Sequence, residues 1–103
     1  MTLSIMLACA GGFSTSMLVE RMKDAAKERG MEVNIDATAE GKVDKLIQNI
    51  DILLLGPQVG YMEESFKKKY SGHPVAIATI QSMDYGMMNG KKVLADALNL
   101  LNK

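Results

Sequence analysis

The chain has 103 residues, enough for one domain with a two- or three-layer core. Twelve basic and twelve acidic side chains cancel, so no basic excess points to nucleic acid and no polybasic cluster to an anionic membrane. Hydrophobic residues at 48% and charged residues at 23% are the balance of an ordinary globular protein, the single cysteine rules out an internal disulfide, and no apolar stretch has membrane-spanning length.

A first strand is predicted over residues 2–8, the apolar run Leu3-Ser4-Ile5-Met6-Leu7-Ala8. The run is too short for a signal peptide and no basic residue precedes it, so a cytoplasmic location is expected. A small-residue segment follows, Cys9-Ala10-Gly11-Gly12-Phe13-Ser14-Thr15-Ser16. Helix one is predicted from Thr15 or Ser16 to Arg29, with Leu18, Met22, Ala25 and Ala26 as its apolar stripe and Gly30 as its stop. Strand two is predicted over 31–37, where Met31, Val33, Ile35 and Ala37 alternate with polar residues, the pattern of a strand with one wet face or at a sheet edge.

A short second helix over 40–49 puts Val43, Leu46, Ile47 and Ile50 on one side. Strand three, 51–55, is continuously apolar after Asp51, as strands buried on both faces of a parallel sheet are. Gly56-Pro57-Gln58-Val59-Gly60 reads as a loop, and 61–70 as helix three with Met62, Phe66 and Tyr70 inward. Lys67-Lys68-Lys69 behind Glu63-Glu64 reads as a solvated helix face. Strand four is 75–78, a polar loop 79–84 follows, and helix four is 85–101 with Val93, Leu94, Ala97, Leu98 and Leu101 inward. Most of the nine methionines are expected to fill core gaps. Four βα units imply an α/β fold: an open four-stranded parallel sheet with helices on both faces, doubly wound, in one domain over 1–103, with the first strand central.

Cys9 therefore stands at a strand's carboxyl end facing a helix amino terminus, where open α/β sheets place ligands. Unpaired N–H groups and positive potential there suit a phosphate or a thiolate. Gly11 and Gly12 let the backbone bend around an anion, and Ser14, Thr15 and Ser16 offer hydroxyls to cap the helix or donate to phosphate oxygens. The stretch from Ala10 to Ser16 is thus a candidate phosphate-binding loop, a reading that outweighs an inert buried cysteine. A nucleotide-binding loop needs a lysine before its Ser/Thr, and none lies between Met1 and Met22; a dinucleotide fingerprint is absent too. Gln58 and Tyr61, after strand three, either line the site or only begin helix three. Asp84 and Tyr85, after strand four, are further rim candidates, with an Asx turn capping helix four the favoured role for Asp84. Met17, Met83, Met87 and Met88 are candidates for partner docking, together with Ala10 and Phe13; Met62 is expected in the core. His73 lies at the opposite sheet end and reads as a surface-loop residue.

The loop resembles that of the low-molecular-weight tyrosine phosphatases, Cys-x5-Arg-Ser/Thr, but Thr15 stands at the arginine position, which removes the clamp hydrolysis would use. The fuller pattern is Cys-x-x-Gly-Phe-Ser-Thr-Ser opening a helix, Leu-Leu-Gly-Pro-Gln-Val at 54–59, Tyr61-Met62, and Tyr85-Gly86. It resembles the IIB component of the bacterial phosphotransferase system (PTS), lactose/cellobiose/diacetylchitobiose class, over the full length. Gly11 and Phe13 depart mildly from the common Ser or Ala and Met.

The resemblance implies a protein-phosphohistidine–sugar phosphotransferase with a phosphocysteine at Cys9. The thiolate would take a phosphoryl group from a phosphohistidine on a IIA partner. It would pass it to a sugar, such as the β-linked disaccharides cellobiose, lactose or diacetylchitobiose, bound by a membrane IIC partner. No cofactor, no metal, no nucleic acid and no direct membrane insertion are expected. The rivals are a cysteine phosphatase or arsenate-reductase-like enzyme on the same fold, and a non-enzymatic anion-binding domain.

Overall fold

The computed structural model describes residues 3–9 and 13–101, with Phe13, Ser14, Thr15 and Glu40 described by their backbone alone. Four strands, β1 (Leu3–Cys9), β2 (Val33–Ala39), β3 (Ile52–Leu55) and β4 (Ala76–Thr79), form one parallel sheet in the order β2-β1-β3-β4. The strand carrying Cys9 is therefore interior, as the sequence predicts, and β2 takes the edge, one of the two places its alternation allows. The register pairs Cys9 with Ala39, and Ala8 with Leu55, which in turn pairs with Thr79.

Side chains alternate across the sheet. Ile5 and Leu7 of β1, with Ile35, Ile52 and Leu54, face α1 (Phe13–Glu28) and α5 (Gly90–Asn99). Met6 and Ala8, with Leu53, Leu55 and Ile77, face the other layer. That layer is α2 (Val43–Leu46), its flanking 3₁₀ turns (Glu40–Lys42 and Ile47–Asn49) and α3 (Glu63–Lys69). Leu18 and Met22 of α1 have no exposed surface, each burial worth roughly 1.5–3 kcal/mol. Within the first of these layers α1 and α5 meet closely at Gly90, where a Cβ would lie 2.5 Å from the backbone carbonyl carbon of Arg21 in α1.

Helix α1 begins at Phe13, two or three residues earlier than predicted, so Thr15 sits inside the first turn and is not its cap. The helix ends as expected. Gly30, at φ +70°, donates its N–H to Lys27 O at 3.0 Å, and Met31 N–H reaches Ala26 O at 3.0 Å. This closure consumes Met31, which is why β2 starts at Val33 rather than at residue 31. In β2 only Ile35 is buried and Ala37 is exposed, as on an outermost strand.

Two expectations fail in the second half. The loop expected over 56–60 is largely a 3₁₀ turn (Pro57–Met62) with a kink at Val59, and the helix expected from residue 61 begins at Glu63. Proline at the first position of the turn presets φ and supplies no N–H that the turn would leave unpaired. The predicted helix over 85–101 is two helices, α4 (Ser82–Gly86) and α5. Met88 between them takes the left-handed conformation, φ 53°, and the Asn89 side chain accepts from Lys92 N–H to start α5 anew. With α5 ending at Asn99, Leu101 is 46% exposed and not inward.

Of the described methionines, Met6 and Met22 are buried, Met31, Met62 and Met88 are partly buried, and Met17, Met83 and Met87 are exposed. Core filling thus accounts for only part of the methionine content. The lysine run of α3 is solvated: Lys67 pairs with Glu63 at 2.8 Å and Lys69 with Asp44 at 2.9 Å. Tyr70, buried in the core, donates its hydroxyl to the same Asp44 carboxylate, tying α3 to α2. That hydroxyl, and then Lys69, hold the Asp44 carboxyl below its usual range.

Candidate functional site

Cys9 closes the interior strand β1 and is 3% exposed. Three residues, Ala10, Gly11 and Gly12, separate it from the first residue of α1; they lie outside the described residues. The first four N–H groups of a helix have no carbonyl within it to bind. Here they include those of Phe13, Ser14 and Thr15. No acidic side chain stands in that first turn, and no charged residue of any kind precedes Glu20. The positive end of α1 is therefore not offset by a carboxylate of its own, which favours an anion there. The side chains of Phe13, Ser14 and Thr15 lie outside the described atoms; Ser16 is exposed on α1.

Beside Cys9 lies the end of β3. Gly56 N–H donates to Ala8 O at 2.8 Å, carrying the β1–β3 ladder one residue past the strand. A Cβ built on Gly56 would stand 3.1 Å from Cys9 Cβ and 2.7 Å from Gln58 Oε1. The Cys9 and Gln58 side chains thus converge on a space that only glycine leaves open. Gln58 is an exposed residue, yet its amide folds back over the strand end instead of extending into solvent.

The segment that carries Gln58 is fixed at several points. Val59 is buried among Leu55, Phe66 and their neighbours. A Cβ on Gly60 would lie 3.0 Å from Thr79 Cγ2, so backbone and methyl are in close contact there. The Thr79 hydroxyl donates to Glu63 Oε1 at 2.6 Å. The Lys67 ammonium first, and the Thr79 hydroxyl second, hold the Glu63 carboxyl below its usual range. Sequence reasoning singled out neither Gly56 nor Thr79 nor Glu63 for the site. The signal available was a Gly-Pro pair directly after the buried third strand.

The other rim candidates separate. Tyr61 is 81% exposed on the same turn as Gln58. Tyr85 is 7% exposed and packs in the core against α1 and α5, so it is not a surface rim residue. Asp84 lies inside α4 and caps nothing: the residue before that helix is Gln81, and it makes no side-chain cap. The Asp84 carboxylate faces Lys92 at 3.5 Å and lines a cavity between β4 and α5 with Thr79, Gln81 and Asp96. That is the far side of β4, two strands from β1. His73 lies before β4, at the opposite sheet end from Cys9, its ring edge-on to Tyr70. Among the described residues, no cluster of His, Cys, Asp and Glu is placed to hold a metal ion, and no helix is long and apolar enough to cross a membrane.

Fold and site together define a class: a four-stranded parallel α/β domain presenting a cysteine between an interior strand and a helix amino terminus. Comparison with known proteins is specific. A family model for the lactose/cellobiose-specific IIB subunit of the PTS matches residues 4–96. The chain is 45% identical over 103 residues to the galactose-specific EIIB component of Lactococcus lactis subsp. cremoris, with 95% of each covered. It superposes on the solution structure of the cellobiose-specific IIB component from Borrelia burgdorferi with a TM-score of 0.81 at 35% identity, covering 99% of this chain and 94% of that one. It is also 28% identical over 81 residues to a lactose-specific EIICB component of Lacticaseibacillus casei, matching 79% of this chain and 14% of that longer one. The chain belongs to the lactose/cellobiose-specific IIB family of the PTS. It is a phosphotransferase component of sugar transport, as the sequence motifs imply.

Proposed function

We propose that Cys9 is the phosphoryl carrier of this IIB protein, and that residues 1–103 form a single IIB domain acting in the cytoplasm. One observation carries the reading: the chain's only thiol ends an interior strand four residues before a helix start that has no acidic side chain in its first turn. The Cys9 thiolate attacks the phosphorus of a phosphohistidine on a IIA partner. The S–P bond forms as the N–P bond breaks, and the imidazole leaves with the electron pair, so no strong general acid is needed. The backbone N–H groups of the 10–16 stretch cradle the phosphoryl oxygens; catalysis is positioning plus electrostatics. A sugar hydroxyl then attacks phosphorus, the S–P bond breaks, the thiolate returns and the hydroxyl proton is released.

The acceptor sugar is held by a membrane IIC partner. The relative named EIICB, in which a stretch like this chain is part of a longer protein, supports that pairing. The relatives' names differ in their sugar, galactose, cellobiose and lactose, which supports placing sugar choice in the IIC partner; a β-linked disaccharide fits two of the three.

The test is incubation with a histidine-phosphorylated IIA protein of this class, followed by intact mass analysis. The expected product is a single added phosphoryl group, absent from Cys9→Ala and Cys9→Ser. Turnover to free phosphate without accumulation would mark a phosphatase instead. Full phosphoryl acceptance by Cys9→Ala would overturn the assignment.

A further inference from the structure

Gln58 brings a polar side chain to the space that Cys9 Cβ borders, and several contacts hold the segment that carries it. Pro57 presets the backbone before it, Val59 is buried after it, Gly60 rests on the Thr79 methyl, and the Thr79–Glu63 hydrogen bond closes the segment. An exposed glutamine normally gains rotamer freedom by extending into water. This one folds back to share with Cys9 Cβ the space above Gly56.

We propose that Gln58 is a phosphoryl-binding residue: its side-chain amide donates an N–H to an oxygen of the phosphoryl group on Cys9 Sγ. The inference rests on the reading of Cys9 as the phosphoryl acceptor and adds a side-chain partner from a different strand unit. A carboxamide suits the task because a half-turn of its last torsion exchanges an acceptor for a donor.

It also suits a carrier. The first nineteen residues hold no charged side chain, so the stretch around Cys9 supplies no cation of its own. A neutral donor adds a hydrogen bond to the bound group without the bidentate cationic clamp that would favour attack by water.

Two substitutions test this. Gln58→Leu keeps bulk and removes the donor; Gln58→Glu keeps shape and places a negative charge beside the phosphoryl oxygens. Each variant is incubated as the full chain with histidine-phosphorylated IIA protein of the lactose/cellobiose class, and the phosphocysteine is followed by intact mass and phosphorus-31 NMR. Loss of one hydrogen bond to a charged group predicts phosphoryl acceptance about tenfold slower in Gln58→Leu. Gln58→Glu should be slower still, and both should displace the phosphorus resonance. Iodoacetamide should still alkylate Cys9 in both, and thermal unfolding should match wild type, because residue 58 is exposed. Wild-type rates and an unshifted resonance in both variants would overturn the role of Gln58. A wild-type protein that itself forms no phosphocysteine would overturn the reading of Cys9, and this one with it.

Discussion

Gly56→Ala measures how closely β1 and the 57–62 turn approach. The backbone at residue 56, φ −61° and ψ 152°, is open to alanine, so no conformational strain arises. Fewer unfolded conformations would even favour the variant by about 0.5 kcal/mol. Two contacts oppose this. The new methyl would meet Gln58 Oε1 at 2.7 Å, which the exposed side chain relieves by swinging out, at a cost of about 1 kcal/mol or less. It would also meet Cys9 Cβ at 3.1 Å, well inside the ordinary carbon–carbon separation of roughly 3.5–4.0 Å. Neither backbone can retreat freely, because Cys9 lies on an interior strand and Gly56 N–H is bonded to Ala8 O at 2.8 Å. Overpacking of this kind costs about 1–3 kcal/mol, leaving a net loss of about 0.5–3.5 kcal/mol. For a chain of this size that lowers the melting temperature by roughly 2–28 °C, read by far-ultraviolet circular dichroism. In the Gly56→Ala, Gln58→Ala double variant the oxygen clash is gone, so its loss should be smaller than the sum of the single losses. A Gly56→Ala protein that melts at or above the wild-type temperature would refute the close packing of Cys9, Gly56 and Gln58.

Gly90→Ala should be more severe, because its methyl would lie 2.5–2.7 Å from the backbone and Cβ of Arg21, forcing α1 and α5 apart. A loss of about 3 kcal/mol or more in urea unfolding is expected, and one below about 1 kcal/mol would contradict the helix contact. Acid should weaken the frame behind Gln58. The Glu63 carboxyl is held low, first by Lys67 and then by Thr79, so its ionised form stabilises the fold above the ordinary carboxylate value and that contribution fades as pH falls through the depressed one. Urea midpoints of wild type and Glu63→Gln should therefore differ most at about pH 6 and converge towards about pH 3. A constant gap across that range would show that Glu63 ionisation does not support the fold.

The sequence by itself determined the layers and the position of the thiol. Ile5 and Leu7 alternating with Met6 and Ala8, then the unbroken Ile52-Leu53-Leu54-Leu55, carry the information that β1 and β3 are covered on both faces, and that information is local and periodic. Gly30 stopped α1 because a left-handed closing residue is a one-residue requirement. The lone cysteine before two glycines and a helix was legible for the same reason, as was the family pattern around it. Elsewhere the signals competed. Residues 85–101 fit one long helix with Leu101 on its inward stripe and Tyr85 at the site rim, but Asn89 starts a second helix after a left-handed Met88, Tyr85 is buried and Leu101 lies in solvent. Only the tertiary structure decided the partners of Cys9. Gln58 is 49 residues away in sequence, and its amide oxygen borders the same space over Gly56 as Cys9 Cβ because β3 pairs with β1, Gly56 leaves room, and Thr79 on β4 is bonded to Glu63 just after the turn. The sequence offered Gln58 as a candidate because it follows a buried strand, but no period or spacing in the chain records the approach of Gly56 to Cys9 or the bond from Thr79 to Glu63, which depend on strand order.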